Sequence, residues 1–80
     1  MNSSAESIQY PQYRKYKNGL SYFKILSPTQ AQEIKIIGTK RSLFIIEAKQ
    51  YPERVFINDL LFNYTDFAIQ VTEEEFNRHI

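Results

Sequence analysis

The 80-residue chain contains no cysteine, no tryptophan and a single histidine, His79. Without cysteine, the chain offers neither a disulfide nor a thiol nucleophile. Small secreted domains usually rely on disulfides, so this composition favours a reducing compartment, and we expect a cytoplasmic protein. One histidine without cysteine cannot build a zinc site of ordinary composition. We therefore expect no metal and no cofactor, and we interpret His79, next to the last residue, as a bystander.

Glycine and proline are also scarce, with two and three residues. Long irregular loops are therefore not expected, and neither glycine belongs to a phosphate-binding loop. No apolar run approaches the roughly 18 residues of a membrane span. Residues 1–9 lack the basic and apolar regions of a signal peptide. We expect a disordered tail at residues 1–9 and a single domain at residues 10–80.

The sequence also offers few candidate catalytic groups. The serines have no histidine partner in any recognisable arrangement, and the carboxylates show no spacing typical of a metal-binding loop. Glu47 together with Asp59 or Asp66 would make the minimal acid–base pair if they met in a cleft. Nothing in the sequence indicates that they do. We therefore expect a protein that is not an enzyme.

Aromatic and charged residues are abundant by contrast. Six tyrosines, six phenylalanines and a hydrophobic fraction of 42% are sufficient for a packed core. The net charge is only +1, but residues 1–49 carry eight basic and three acidic side chains, whereas residues 50–80 carry two basic and six acidic ones. Either the two halves neutralise each other on packing, or the basic half presents a surface to an acidic partner.

The most specific pattern is Asn18-Gly19 between two β-prone runs, which predicts a hairpin over about residues 12–26. A two-residue type I′ turn fixes the register, so that Lys15 lies opposite Tyr22. Because side chains alternate along a strand, the register also assigns the faces. We expect the core-facing side to carry Tyr16, Phe23 and Ile25, with Arg14 at its rim. The outward side carries Tyr13, Lys15, Lys17, Tyr22 and Lys24.

The outward side is the candidate binding site. Lys35 on the third predicted strand, and Lys40 and Arg41 at a second predicted turn, could extend it. We expect a small non-catalytic interaction domain that binds a protein partner through this face, or through the free edge of the hairpin. The basic side chains would suit an acidic partner. The alternative is single-stranded nucleic-acid binding, since tyrosines interleaved with lysines can stack bases and neutralise phosphates. A solvated sheet face with no partner would show the same composition. A monomer or a weak homodimer is expected.

The next segments predict two more strands. Residues 31–37 alternate polar and apolar, which indicates a half-buried strand. Residues 42–49 are apolar on both faces at their centre, which predicts a central strand covered on two sides. The period then changes to that of a helix at about residues 52–63, with Pro52 suited to its first turn. Two short strands at residues 54–57 and 60–64 are the competing interpretation.

The remaining residues predict a fifth strand and a short C-terminal helix. Residues 67–71 alternate with Phe67, Ile69 and Val71 inward. Thr72 and Glu75 then form a capping-box pattern, after which Phe76 and Ile80 are expected to dock on the sheet. The order ββββ-α-β-α predicts an α+β domain with a mainly antiparallel four- to five-stranded sheet. A small, mostly-β barrel is the alternative if residues 54–64 are strand.

Overall fold

A computed structural model describes residues 8–80 of the chain, so residues 1–7 of the predicted tail lie outside the described part. The predicted order ββββ-α-β-α is confirmed. The elements are β1 (Gln12–Tyr16), β2 (Ser21–Ser27), β3 (Gln30–Ile37), β4 (Lys40–Glu47), α1 (Tyr51–Phe62), β5 (Ala68–Gln70) and α2 (Glu73–Asn77). All paired strands are antiparallel, and the sheet is open rather than closed into a barrel.

The β1–β2 hairpin has the predicted register but not the predicted turn. Lys15 pairs with Tyr22 and Tyr13 pairs with Lys24, as expected. A type I′ turn needs a positive φ at both central residues, whereas only Gly19 has one, at 75°. The Gly19 amide instead donates to the Tyr16 carbonyl oxygen at 2.8 Å. This hydrogen bond makes Lys17 and Asn18 the two central residues of the turn, in place of Asn18 and Gly19. The correction changes the turn and leaves the strand pairing intact.

The strand order is β4-β3-β2-β1-β5, and it overturns two expectations. β4, expected to be central because both its faces are apolar, lies at one edge of the sheet. β1, considered as a free edge for a partner, lies between β2 and β5, since Lys15 pairs with Ile69 and Tyr16 pairs with Ala68. The edge of the hairpin is therefore not available for strand addition. Within residues 8–80, the two free edges belong to β4 and to the three-residue β5.

α1 covers one face of the sheet, which decides between the helix and the two short strands. Pro52 lies in its first turn, where a missing N–H costs nothing. The Glu53 carboxylate accepts the Gln50 backbone N–H at 3.1 Å, which satisfies a donor at the helix start. Ile57, Leu60 and Leu61 of α1 are buried in a core cluster with residues of β2, β3 and the β4–α1 connection: Phe23, Ile25, Ala31 and Ala48.

α2 covers part of the opposite face, and its predicted start is confirmed. Thr72 is the N-cap, and its hydroxyl oxygen accepts the Glu75 backbone N–H at 3.1 Å. Phe76 is fully buried, whereas Ile80 is exposed, so the expected docking of Ile80 on the sheet is wrong. The expected inward position of Ile69 is also wrong. Ala68 is the buried residue of β5, because pairing with Tyr16 places it on the α1 side.

Candidate interaction surfaces

The predicted binding face of the hairpin is covered where its aromatic rings lie. Tyr13 and Tyr22 are only 9% and 6% exposed, so their expected outward position is wrong. The Phe76 ring centroid lies 5.4 Å from that of Tyr13, and the His79 ring stacks on Tyr22 at 4.1 Å. Burial, with a smaller effect of Glu73, raises the pKa of the Tyr13 phenol. Neither ring can therefore stack a nucleic-acid base, and His79 is a packing residue rather than a bystander.

Lys15, the cation nearest these rings, is engaged with α2. Its Nζ lies 3.2 Å from Oε2 of Glu75 and 5.6 Å from the centroid of the Tyr22 ring. The hydrogen bond to Glu75 is the largest cause of a raised pKa at Lys15. A cation so paired helps to hold α2 on the sheet. It is also an ion pair between the basic residues 1–49 and the acidic residues 50–80.

The other predicted cations do not form one surface with the hairpin rings. Lys17 is exposed at the β1–β2 turn, and Lys24 is half-buried. Lys40 and Arg41 are exposed, but they are the first two residues of β4, and β3 lies between β4 and the hairpin. The structure therefore places the seven predicted residues in three settings: two buried rings, cations along the hairpin, and a basic end of the edge strand.

Replacing Glu75 with glutamine tests the contact with Lys15. We expect the free energy of unfolding to fall by about 0.5 kcal/mol, since a partly exposed ion pair contributes little. The raised pKa of Lys15 makes this contribution complete below its ordinary pKa of 10.5, and it is lost as the pH rises above that value. Urea unfolding at neutral pH measures the change. Glu74→Gln, which removes the same charge from the same helix turn, should cost less, and an equal loss would contradict the role of the pair.

Arg14, expected at the rim of the core face, is 3% exposed and is the structural residue that the sequence pattern missed. Its Nε donates to the Leu60 carbonyl oxygen at 2.9 Å, and its Nη2 reaches the Leu61 carbonyl oxygen at 3.4 Å. Its Nη1 donates to the Tyr13 carbonyl oxygen at 2.9 Å, and the guanidinium lies 4.2 Å from the centroid of the Tyr64 ring. Burial lowers the pKa of Arg14, and Tyr64 acts in the opposite direction. The negative end of the α1 dipole accommodates the buried cation.

Concave regions accompany these surfaces. A groove of about 510 Å³ lies between α1 and the β2–β3 connection, where Tyr51, Val55 and Phe62 of the helix face Pro28 and Thr29. A shallower cleft of about 430 Å³ contains Asp66 beside Lys17 at the hairpin turn. Among the described residues that line this cleft, Asp66 is the one carboxylate, and neither Glu47 nor Asp59 lies there with it.

The β4 edge is the surface that the sequence analysis did not anticipate. Leu43, Phe44 and Ile45 are consecutive and are 54%, 45% and 64% exposed. Large apolar side chains at an open strand edge are unusual, because such an edge invites pairing with another chain. Their apolar pattern was visible in the sequence, but it indicated a buried strand. Only the strand order shows that this strand is a free edge.

The backbone of β4 is also oriented for pairing. The Ala48 amide donates to the Thr29 carbonyl oxygen at 2.8 Å, toward β3. Because the direction of the backbone groups alternates along a strand, the even-numbered residues of β4 bond to β3. The odd-numbered residues therefore point their N–H and C=O groups to the open edge: Arg41, Leu43, Ile45 and Glu47.

Comparison with known proteins adds no functional assignment. No protein-family model matches this chain, and no curated protein or solved structure matches it either. Within residues 8–80, no three side chains of the His, Cys, Asp and Glu types are grouped closely enough to hold a metal ion. In the same described part of the chain, neither helix has the length and apolar character needed to cross a membrane.

Proposed function

We propose that this domain is a non-catalytic protein-binding module of the cytoplasm that accepts an extended segment of a partner chain along β4. The observation that carries the proposal is the row of exposed apolar side chains, Leu43, Phe44 and Ile45, on a strand with one edge that no other strand of residues 8–80 pairs. The absence of cysteine supports the cytoplasmic setting. The binding surface thus moves from the hairpin to the opposite end of the sheet.

Strand addition combines two sources of affinity that β4 supplies. The outward backbone groups of Leu43 and Ile45 can form main-chain hydrogen bonds with a partner strand, whatever the partner's sequence. The side chains supply selectivity, since Leu43 and Ile45 lie on one face of the sheet and Phe44 lies on the other. A partner strand with apolar side chains on one face would cover Leu43 and Ile45, and one with apolar side chains on both faces would also cover Phe44.

Charge adds a preferred direction. Lys40 and Arg41 open β4 and are exposed, whereas Glu47 closes it. An antiparallel partner strand with acidic residues near its C-terminal end would place them beside the two cations. Lys17 and Lys24 remain in the proposal as cations that attract an acidic partner at longer range. Tyr13 and Tyr22 do not, because both are buried.

Replacing Ile45 with lysine is expected to weaken strand binding about tenfold or more. The substitution removes an apolar contact of about 1.5–3 kcal/mol and places a charge in its position. The probe is a fluorescein-labelled peptide of eight residues that alternates valine and threonine and ends in two glutamates. Fluorescence anisotropy at low protein concentration measures the dissociation constant.

Ile37→Lys is the matched control, because Ile37 is 66% exposed, as Ile45 is 64%, but lies on β3 rather than on the edge strand. We expect this variant to bind the peptide as the unmodified domain does. Absence of peptide binding to the unmodified domain, or equal weakening by both variants, would contradict the proposal. Binding of a labelled single-stranded oligonucleotide at low salt, lost in Lys24→Glu, would favour the nucleic-acid alternative instead.

A further inference from the structure

We infer that the partner best fitted to β4 is a second copy of this chain, paired antiparallel through a twofold axis at Phe44. The inference rests on the proposed function, since it requires that β4 accept a strand. It adds the identity of that strand and the register of the pairing. Both follow from the direction of the backbone groups and from the order of side chains along β4.

The backbone restricts the possible registers. A twofold axis that relates two antiparallel strands of one sheet keeps each residue on its own face, so odd-numbered residues lie opposite odd-numbered ones. These are the residues of β4 whose N–H and C=O groups point to the open edge. With the axis at Phe44, Leu43 lies opposite Ile45 of the second copy, and Arg41 lies opposite Glu47 of the second copy. Each of these pairs can exchange two backbone hydrogen bonds.

The side chains match in this register and in neither neighbouring one. Arg41 and Glu47 form an oppositely charged pair at each end, and Leu43 and Ile45 form an apolar pair on each side of the axis. The two Phe44 rings meet at the centre of the other face, where a directly opposite aromatic pair is favourable. An axis at Leu43 would set Arg41 opposite Ile45. An axis at Ile45 would set Leu43 opposite Glu47.

The existing contacts of these side chains allow the pairing. Glu47 Oε1 lies 3.7 Å from Lys49 Nζ in an exposed ion pair, which contributes little and can be exchanged. Lys35 Nζ lies 5.2 Å from the centroid of the Phe44 ring. The two Phe44 rings of the dimer would therefore contact each other with a lysine beside each ring. Ile80 is exposed and lines a small cavity with Leu43, which adds apolar surface on the Leu43 side.

Pairing at β4 would stop at two copies. A twofold contact uses the same patch on both subunits and leaves no free copy of that patch. The remaining edge belongs to β5, which has only three residues and offers few backbone groups for further addition. One pair of eight-residue strands is a small interface, so the expected assembly is a weak, concentration-dependent dimer.

Reversing the charge of Arg41 or of Glu47 tests the register. Both side chains are exposed, so neither substitution should affect folding. Arg41→Glu creates two like-charged pairs in the homodimer, and Glu47→Arg does the same with the opposite sign. We expect each variant alone to weaken dimerisation about tenfold in sedimentation velocity. An equimolar mixture should recover the dimer, because both end pairs then carry opposite charges. A mixture no stronger than either variant would overturn the register.

A disulfide test locates the axis, and the cysteine-free chain makes it specific. Phe44→Cys places two thiols at directly opposite, non-hydrogen-bonded positions, whose separation of about 4.5 Å between Cα atoms suits a disulfide. Mild oxidation should then give a covalent dimer on non-reducing gels. Ser42→Cys is the control, because Ser42 would lie opposite Ile46 and far from its own twin. Equal crosslinking of both variants would overturn the proposed axis.

The two proposals fail in distinguishable ways. An unmodified domain that stays monomeric at millimolar concentration, yet binds the alternating peptide, would overturn the dimer and leave the strand-accepting function intact. An unmodified domain that neither dimerises nor binds the peptide would overturn both the dimer and the strand-accepting function. A dimer that Ile45→Lys disrupts and Ile37→Lys does not would support both together.

Discussion

Replacing Arg14 with methionine is expected to lower the free energy of unfolding by about 3 kcal/mol. Methionine keeps much of the apolar stem but removes the donors that satisfy the buried carbonyl oxygens of Leu60, Leu61 and Tyr13. A buried acceptor left without its donor costs about 1–3 kcal/mol, and a charged donor strengthens each bond. The last turn of α1 also loses the cation that complements its dipole. Urea unfolding followed by circular dichroism measures the change.

Two further variants separate the effect of the lost hydrogen bonds from that of the lost charge. Arg14→Lys keeps the charge but cannot reach carbonyls in three directions, since an ammonium lacks the planar fork of a guanidinium. We expect it to recover only part of the lost stability. Arg78→Met removes a cation of the same type from an exposed position and should change the stability by less than about 0.5 kcal/mol. A loss at Arg14→Met as small as that at Arg78 would contradict the structural role of Arg14.

Replacing Phe76 with alanine is expected to lower the free energy of unfolding by about 3–5 kcal/mol, as truncation of buried aromatic residues does. Phe76 is fully buried between α2 and the sheet, and its ring contacts that of Tyr13. Phe62→Ala, at a partly exposed position on α1, is the matched control and should cost clearly less. Chemical denaturation of both variants in parallel gives the comparison.

The same substitution tests what covers the hairpin face. If Tyr13 and Tyr22 lay on a solvated surface, removing the Phe76 ring would cost little. Because α2 covers them, the folded fraction of Phe76→Ala should show tyrosines that react more readily with iodinating reagents than those of the unmodified domain. Unchanged reactivity with a small loss of stability would contradict the packing of α2 on this face.

The features predicted correctly from the sequence depend on residues close together in the chain. Asn18-Gly19 established the pairing of Lys15 with Tyr22, even though the turn itself differs from the predicted type. The helical spacing of Ile57, Leu60 and Leu61 identified α1. Thr72 and Glu75 identified the start of α2. Each is a local pattern whose physical cause lies within a few residues.

Apart from the turn type at Asn18-Gly19, the main errors concern contacts between distant segments. Tyr13 and Tyr22 are buried because α2, more than fifty residues later in the chain, packs across their strands. Alternation places them together on one face but does not indicate whether that face meets water or a helix. Alternation also places Arg14 on the core face, but it does not show that a charged side chain finds partners there. Its partners are the carbonyl oxygens at the end of α1.

The sequence by itself determined the elements, their order and the register of the first hairpin, since turn chemistry and side-chain periodicity act locally. The tertiary structure decided which strands are edges and which faces are covered. β5 pairs with β1 rather than with β4, and this single long-range choice buries the hairpin edge and leaves Leu43, Phe44 and Ile45 exposed. An apolar strand has the same pattern at the centre of a sheet and at an open edge, so only the strand order could reveal the surface proposed here for binding.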